Sequence, residues 1–201
     1  RQRQMCIRDS VSDYFAILAN SEEGLMFVLV NKDSKGLEIN QTSSLDQTRT
    51  MCEINMKDIF ISDDEIMIGS DSCINTWEKV KNISLGYLAM EQVGGAQACL
   101  DMSTQYAKER IQFGRPIGSF QAIQHICANM LVQLESAKSV AYSAVRTDTS
   151  DDLEVEMSAM LAKSYCSEVF NKIAGDNIQV DGGIGFTWEH PAHLFFKKAK
   201  S

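Results

Sequence analysis

Residues 106–125 read Tyr-Ala-Lys-Glu-Arg-Ile-Gln-Phe-Gly-Arg-Pro-Ile-Gly-Ser-Phe-Gln-Ala-Ile-Gln-His, and they concentrate unusual chemistry at one break between two amphipathic segments. Arg110 and Arg115 are fixed cations. Gln112 and Gln121 carry amides, and Phe113 and Phe120 carry flat apolar rings. Guanidinium forks match phosphate oxygens in pairs, and aromatic faces stack on planar heterocycles. A corner with this content suits an anionic ligand with a flat end. A second Gly-containing stretch, Gln179-Val180-Asp181-Gly182-Gly183, offers backbone that a ligand can approach closely. Taken singly, each has a plainer reading. Arg110 suits the negative end of a helix dipole, Phe113 suits a core, and Gly182-Gly183 suits a helix C-cap.

The elements that hold these residues divide into two kinds. Residues 11–70 read as short strands. Tyr14–Ala19 and Leu25–Val30 are apolar runs split by a turn-like Asn20–Gly24, Thr50–Met56 alternates, and Ile59–Ile61 and Ile66–Ile68 bracket an acidic turn. From about residue 71 the apolar period becomes helical. Asp71–Arg110 is one long candidate helix, with Ile74, Trp77, Val80, Leu85, Leu88, Val93, Ala96 and Leu100 toward one face and Gly94-Gly95 interrupting it. Phe120, Ile123, Cys127, Met130, Leu134, Ala137, Ala141 and Val145 mark a second helix. After a polar loop at 147–152, Ser150 or Asp151 caps a third, whose stripe is Val155, Ala159, Ala162, Cys166, Val169 and Ile173. Pro191 opens a fourth helix that is cut short at Ser201. Long helices with short connections make a bundle, so the expected class is α+β: a partial sheet or barrel, then an up-down four-helix bundle. Residues 1–10, rich in Arg and Gln, have neither strand nor helix period and read as a non-native leader.

The chain has 201 residues and a net charge of -8, which argues against nucleic acid or an anionic membrane as the main partner. No apolar run is long enough to span a bilayer. The six cysteines have no CxxC spacing, so they read as small core residues of a reducing, cytoplasmic setting rather than zinc ligands. His190 and His193 lack the further ligand pattern a metal needs. His125, one turn past Gln121, reads as structural.

Three stretches in order, Leu45–Arg49, Tyr106–Ala122 and Ile178–Phe186, resemble the acyl-CoA dehydrogenase flavoprotein family. The resemblance runs from about residue 11 to the end. It implies the later part of a middle β domain over 11–70 and most of the C-terminal four-helix bundle over 71–201. It also implies FAD as cofactor and α,β-dehydrogenation of an acyl-CoA thioester, in which a carboxylate takes the α-proton and the β-hydrogen leaves as hydride. Arg110 would then meet the FAD pyrophosphate, of a neighbouring subunit. Gln112 and Phe113 would lie on the adenosine side, and Phe120 and Gln121 would reach FAD from the next helix. Gln179, Val180, Asp181, Gly182 and Gly183 would run along it. Implied partners are the acyl-CoA, an electron-transfer flavoprotein or similar acceptor, and further subunits in a homo- or hetero-oligomer. The catalytic residue stays unassigned. One family position for the base falls on Ser84, the other lies beyond Ser201, and Glu91 reads as a packing-edge glutamate. A non-catalytic subunit that lends FAD contacts to a partner is therefore the alternative reading.

Overall fold

The computed structural model describes the backbone of residues 2–7 and all of residues 12–22, 24–146 and 151–201. These form two compact units that divide at Val80 and Lys81.

In the first unit, β1 (Gln2–Ile7), β5 (Met51–Met56) and β4 (Leu37–Thr42) form one antiparallel sheet with β5 central. A second sheet has the order β2 (Tyr14–Ser21), β3 (Gly24–Asn31), β6 (Ile66–Ile68). Strand alternation buries every second side chain. Phe15 and Ile17 from β2, Val28 and Val30 from β3, and Ile54 from β5 accordingly make one core.

Three expectations change here. Gln2–Ile7, read as lacking a strand period, pairs along the whole of β5 through main-chain groups that need no side-chain pattern. Leu37–Thr42, unassigned in the sequence, is a strand with only its alternate residues partly buried. Ile59–Ile61 is not a strand. Asp58 turns the chain with φ 52, and Phe60 is exposed while Ile59 and Ile61 rest on the core. The acidic turn is a short 3-10 segment whose Glu65 carboxylate accepts from both the Ser62 amide and hydroxyl, each at 2.8 Å, which closes a capping box.

Helix α1 (Ser70–Glu109) starts in the first unit and continues into the second. It runs unbroken through Gly94-Gly95. A Cβ on Gly95 would stand 2.7 Å from Phe170 Cζ, so the glycine is there to let the two helices close up. The predicted stripe holds only in the second half, where Ala89, Val93, Ala96, Cys99 and Leu100 are buried. Ile74, Trp77 and Val80, in the first unit, are exposed, with the Trp77 ring 6.2 Å from that of Phe27. Helix α2 (Gln121–Arg146) buries Met130, Leu134, Ala137 and Ala141, and α3 (Asp152–Asp181) buries Ala162, Cys166, Val169, Phe170, Ile173 and Ala174 against them. Small residues at the contact, mostly Ala and Cys, keep the helix axes close. Asp151 caps α3 by accepting from Leu153 and Glu154 amides at 3.0 and 3.4 Å. Ser150, the other expected cap, and most of the polar loop lie outside the described residues. Helix α4 (Ala192–Lys200) starts after Pro191 as expected. Its Lys198 pairs with Glu91 of α1 at 2.8 Å.

Cys52, Cys73, Cys99 and Cys166 are buried free thiols. Burial pushes Cys99 up to about 12, helped by the Asp181 charge, and Cys166 up to about 11. Both are packing residues without nucleophilic character. Among the described residues no helix is long and apolar enough to cross a membrane.

Candidate functional site

The corner after α1 is a small hairpin rather than a plain helix-to-helix break. Ile111–Gln112 (β7) pairs with Arg115–Pro116 (β8), leaving Phe113-Gly114 as a two-residue loop. Both loop residues have positive φ, 54 and 76, as a type I′ turn requires. Arg110 stays tied to the end of the helix through its amide on Tyr106 O, and its carbonyl accepts from Ile117 N at 2.8 Å. The chain then folds back so closely that a Cβ on Gly118 would meet Ala107 O at 2.9 Å. Ser119 Oγ donates to Pro116 O and Gln124 Nε2 to Gly118 O, which fixes the entry to α2.

Phe113 is the unusual residue in this corner. A left-handed conformation costs an L side chain about 1–2 kcal/mol, and Asn or Gly takes this place in most such turns. Phe113 is also 92% exposed, so burial does not offset the strain. Its ring stands edge-on to Phe120 at 6.0 Å, and the Arg115 guanidinium lies 4.1 Å over the Phe120 ring. The corner thus presents a strained aromatic ring to solvent beside two guanidinium groups.

The end of α3 faces this corner. Gly182 caps the helix with φ 64, and Gly182–Phe186 makes a 3-10 turn. A Cβ on Gly182 or Gly183 would meet nothing within 4 Å, so both present bare backbone to open space. Between turn and corner lies an open groove of about 490 Å³. Of the residues singled out in the sequence, Arg110, Gln112, Phe113, Phe120, Val180, Asp181, Gly182 and Gly183 line it. Gln121 and Gln179 are exposed and stand outside its lining. Tyr106, Ile117, Ile123 and Ile184 complete the wall. None of these four was expected as a site residue, although three of them lie inside the 106–125 stretch and Ile123 marked the α2 stripe. Nothing in their types separates a wall residue from a core residue.

Beneath the groove is a polar network the sequence did not suggest. Asp181 is fully buried, and its Oδ2 lies 3.4 Å from His190 Nδ1. Asn177, also buried, turns its amide nitrogen to Asp181 Oδ2 at 3.1 Å, Ser103 Oγ at 2.8 Å and Cys99 O at 3.2 Å. Burial raises the Asp181 carboxyl above its ordinary range, and the neighbouring imidazole pulls it back. His125 is exposed on α2. A separate pocket of about 230 Å³ in the first unit, walled by Ile17, Val28, Val30 and Ile61, contains none of the predicted site residues.

Residues 85–201, more than half of the chain, match the family model described as acyl-CoA dehydrogenase, C-terminal domain. This chain belongs to the acyl-CoA dehydrogenase family. It is 43% identical over 112 residues to acyl-CoA dehydrogenase IpdE2 of Mycolicibacterium smegmatis, covering 56% of this chain and 34% of that protein. It is 28% identical over 200 residues to the mitochondrial short/branched chain specific acyl-CoA dehydrogenase of Rattus norvegicus, covering 94% of this chain and 45% of that one. The chain therefore spans about a third of the first of these relatives and less than half of the second. The fold is that of butyryl-CoA dehydrogenase from Megasphaera elsdenii, with a TM-score of 0.90 at 20% identity over 99% of this chain and 54% of that structure. Acyl-CoA dehydrogenases are oxidoreductases, and the mixed strand and helix architecture expected from the sequence is the one that the structure has.

Proposed function

We propose that this chain supplies the FAD-binding bundle of an acyl-CoA dehydrogenase that oxidises the Cα–Cβ bond of an acyl-CoA thioester. The observation that carries the proposal is the groove. It brings two segments about seventy residues apart in sequence, the Arg110–Phe120 corner and the end of α3 with the turn after it, around one space. The residues present fit the dinucleotide. Bare backbone at Gly182 and Gly183 leaves room for a pyrophosphate that a Cβ would crowd. Arg110 is an exposed guanidinium at the rim, and Phe113 and Phe120 offer faces and edges for an adenine. Apolar pockets of about 300–1,000 Å³ with a few convergent polar groups are the usual form of small-molecule sites.

In this reading FAD supplies the two-electron acceptor, and this chain's residues bind and orient it. Arg110 pairs with phosphate oxygens in a fork, Gln112 offers amide hydrogen bonds, and the Phe113 ring stacks and excludes water. None of the lining residues is a free carboxylate. Asp181, the only acid among them, is buried and engaged from below.

A second reading makes the chain a partner subunit that lends its corner to the FAD of a neighbour. Exposed apolar residues on α2, Leu131 and Val132, and on α3, Met157, Met160 and Leu161, give further subunits apolar surface to pack on. An electron-transfer flavoprotein or similar acceptor, and the reducing cytoplasm suited to its free thiols, complete the proposed setting.

The test is the visible spectrum of the purified full-length protein. A bound flavin that Arg110→Ala loses on gel filtration supports the proposal. No flavin, with candidate partner subunits co-expressed, refutes it. Activity of the homomer alone with an acyl-CoA selects the first reading, and activity only with a partner selects the second.

A further inference from the structure

Two groups compete for one ring nitrogen of His190. His190 Nδ1 lies 3.4 Å from Asp181 Oδ2 and also accepts from the Ala192 amide at 3.3 Å. One ring nitrogen has either a lone pair or a proton, so it cannot serve a carboxylate and an amide donor in the same form. Ala192 is the first residue of α4, and Asp181 is the last residue of α3. His190 therefore sits at the junction of the α3 end, the Gly182–Phe186 turn and the head of α4.

The surroundings make the junction stiff. From α1, Ser103 and the Cys99 carbonyl hold Asn177, which holds Asp181 Oδ2. The Tyr106 ring, which also walls the groove, stands 6.5 Å from His190 at 61°. From α4, buried His193 lies edge-on to Trp188 at 4.6 Å. The turn rests directly on the acid, since a Cβ on Gly185 would come within 3.2 Å of Asp181 Cβ. Asp181 Oδ1 has no partner among the described residues, so the carboxylate depends on Oδ2 and its donors. A buried charge stripped of its donors is costly, and an uncompensated carboxylate under an anion-binding rim also repels phosphate.

We propose that Asp181 and His190 are a positioning pair. With its proton on Nδ1, His190 clamps the acid under the glycine turn in place of accepting from the Ala192 amide, and the clamp holds the phosphate-facing rim of the groove in register with Arg110. The effect on the cofactor rests on the FAD reading above, whereas the effect on the turn does not.

The experiment uses the full-length protein with His190→Leu and His190→Asn. An asparagine amide can face both Asp181 and the Ala192 amide, and leucine can face neither. Two quantities are measured, namely amide hydrogen exchange over residues 182–192 in the flavin-free protein, and the FAD dissociation constant by flavin fluorescence. His190→Leu is expected to speed exchange and weaken FAD by about tenfold or more, the scale of a buried acceptor left without its donor. Exchange in the α2–α3 core should stay unchanged. His190→Asn is expected to restore both quantities to within about threefold of the parent. If His190→Leu leaves exchange over 182–192 unchanged, or if His190→Asn is no better than His190→Leu, the pair is not a positioning device. If exchange responds as expected but no variant and no parent binds FAD, the clamp stands and the FAD reading falls.

Discussion

Phe113→Asn should make the protein more stable and a poorer flavin binder. Phe113 occupies the first central position of a two-residue turn with φ 54. That conformation costs an L side chain about 1–2 kcal/mol, and asparagine tolerates it far better than phenylalanine does. The substitution creates an Asn-Gly pair, the preferred content of a type I′ turn. Little packing is lost, because the side chain is 92% exposed and meets Phe120 only edge-on. Relief of strain less a few tenths for that edge contact leaves a gain of about 1 kcal/mol. Flavin binding moves the other way. Stacking an aromatic ring on a nucleobase contributes about 1–3 kcal/mol, which corresponds to about 5- to 150-fold in the dissociation constant. The assays are urea unfolding of the flavin-free protein and a fluorescence titration with FAD. If stability falls, Phe113 is a packing residue and its strain is not stored for a ligand. If stability rises but FAD affinity holds, the ring does not face the adenine.

Other outcomes follow from the same geometry. Gly95→Ala forces a Cβ into the Phe170 ring and should destabilise the second unit by about 1–3 kcal/mol in chemical unfolding. Asp151→Ala removes the two-amide cap of α3 and should lower stability by about 1 kcal/mol. Leu161→Asp, at an exposed apolar residue of α3, should reduce the assembly size seen by light scattering if further subunits pack there. The buried thiols set an alkaline limit. Cys99 ionises at about 12 and Cys166 at about 11 in the folded chain, against 9.0 unfolded, so the unfolded state loses protons first as pH rises. Stability should be flat with respect to these groups below pH 9 and fall from there toward 11–12, and a thiol reagent at pH 8 should modify half-buried Cys127 before either of them.

Much of this protein was readable from its sequence because the signals are local. The apolar periods of α2 and α3 and the Asp151 cap depend on neighbours within one or two turns, and they appear where the sequence puts them. The identities at the corner were equally plain, since Arg110, Gln112 and Phe113 stand together in sequence and belong together in any fold that turns there. Expectations failed where a distant partner decides. The first half of α1 has apolar residues at helical spacing, yet Ile74 and Val80 remain exposed, because spacing cannot say whether another element arrives to cover a stripe. β1 forms from a segment without strand pattern, because main-chain pairing to β5 needs only a free edge.

The groove shows the same division most clearly. Residue types alone determined that a phosphate-matching, ring-bearing corner exists and that a glycine pair lies some seventy residues later. Only the tertiary structure put the two on either side of one space, left Gln121 and Gln179 out of its lining, and turned Phe113 outward at a cost in strain. It also placed Asp181, Asn177, Ser103 and His190 in contact beneath the rim. Two of those residues, Ser103 and Asn177, stand 74 apart in the chain. Their meeting is set by how α1 packs on α3, and close packing is a property of the whole bundle rather than of any short stretch.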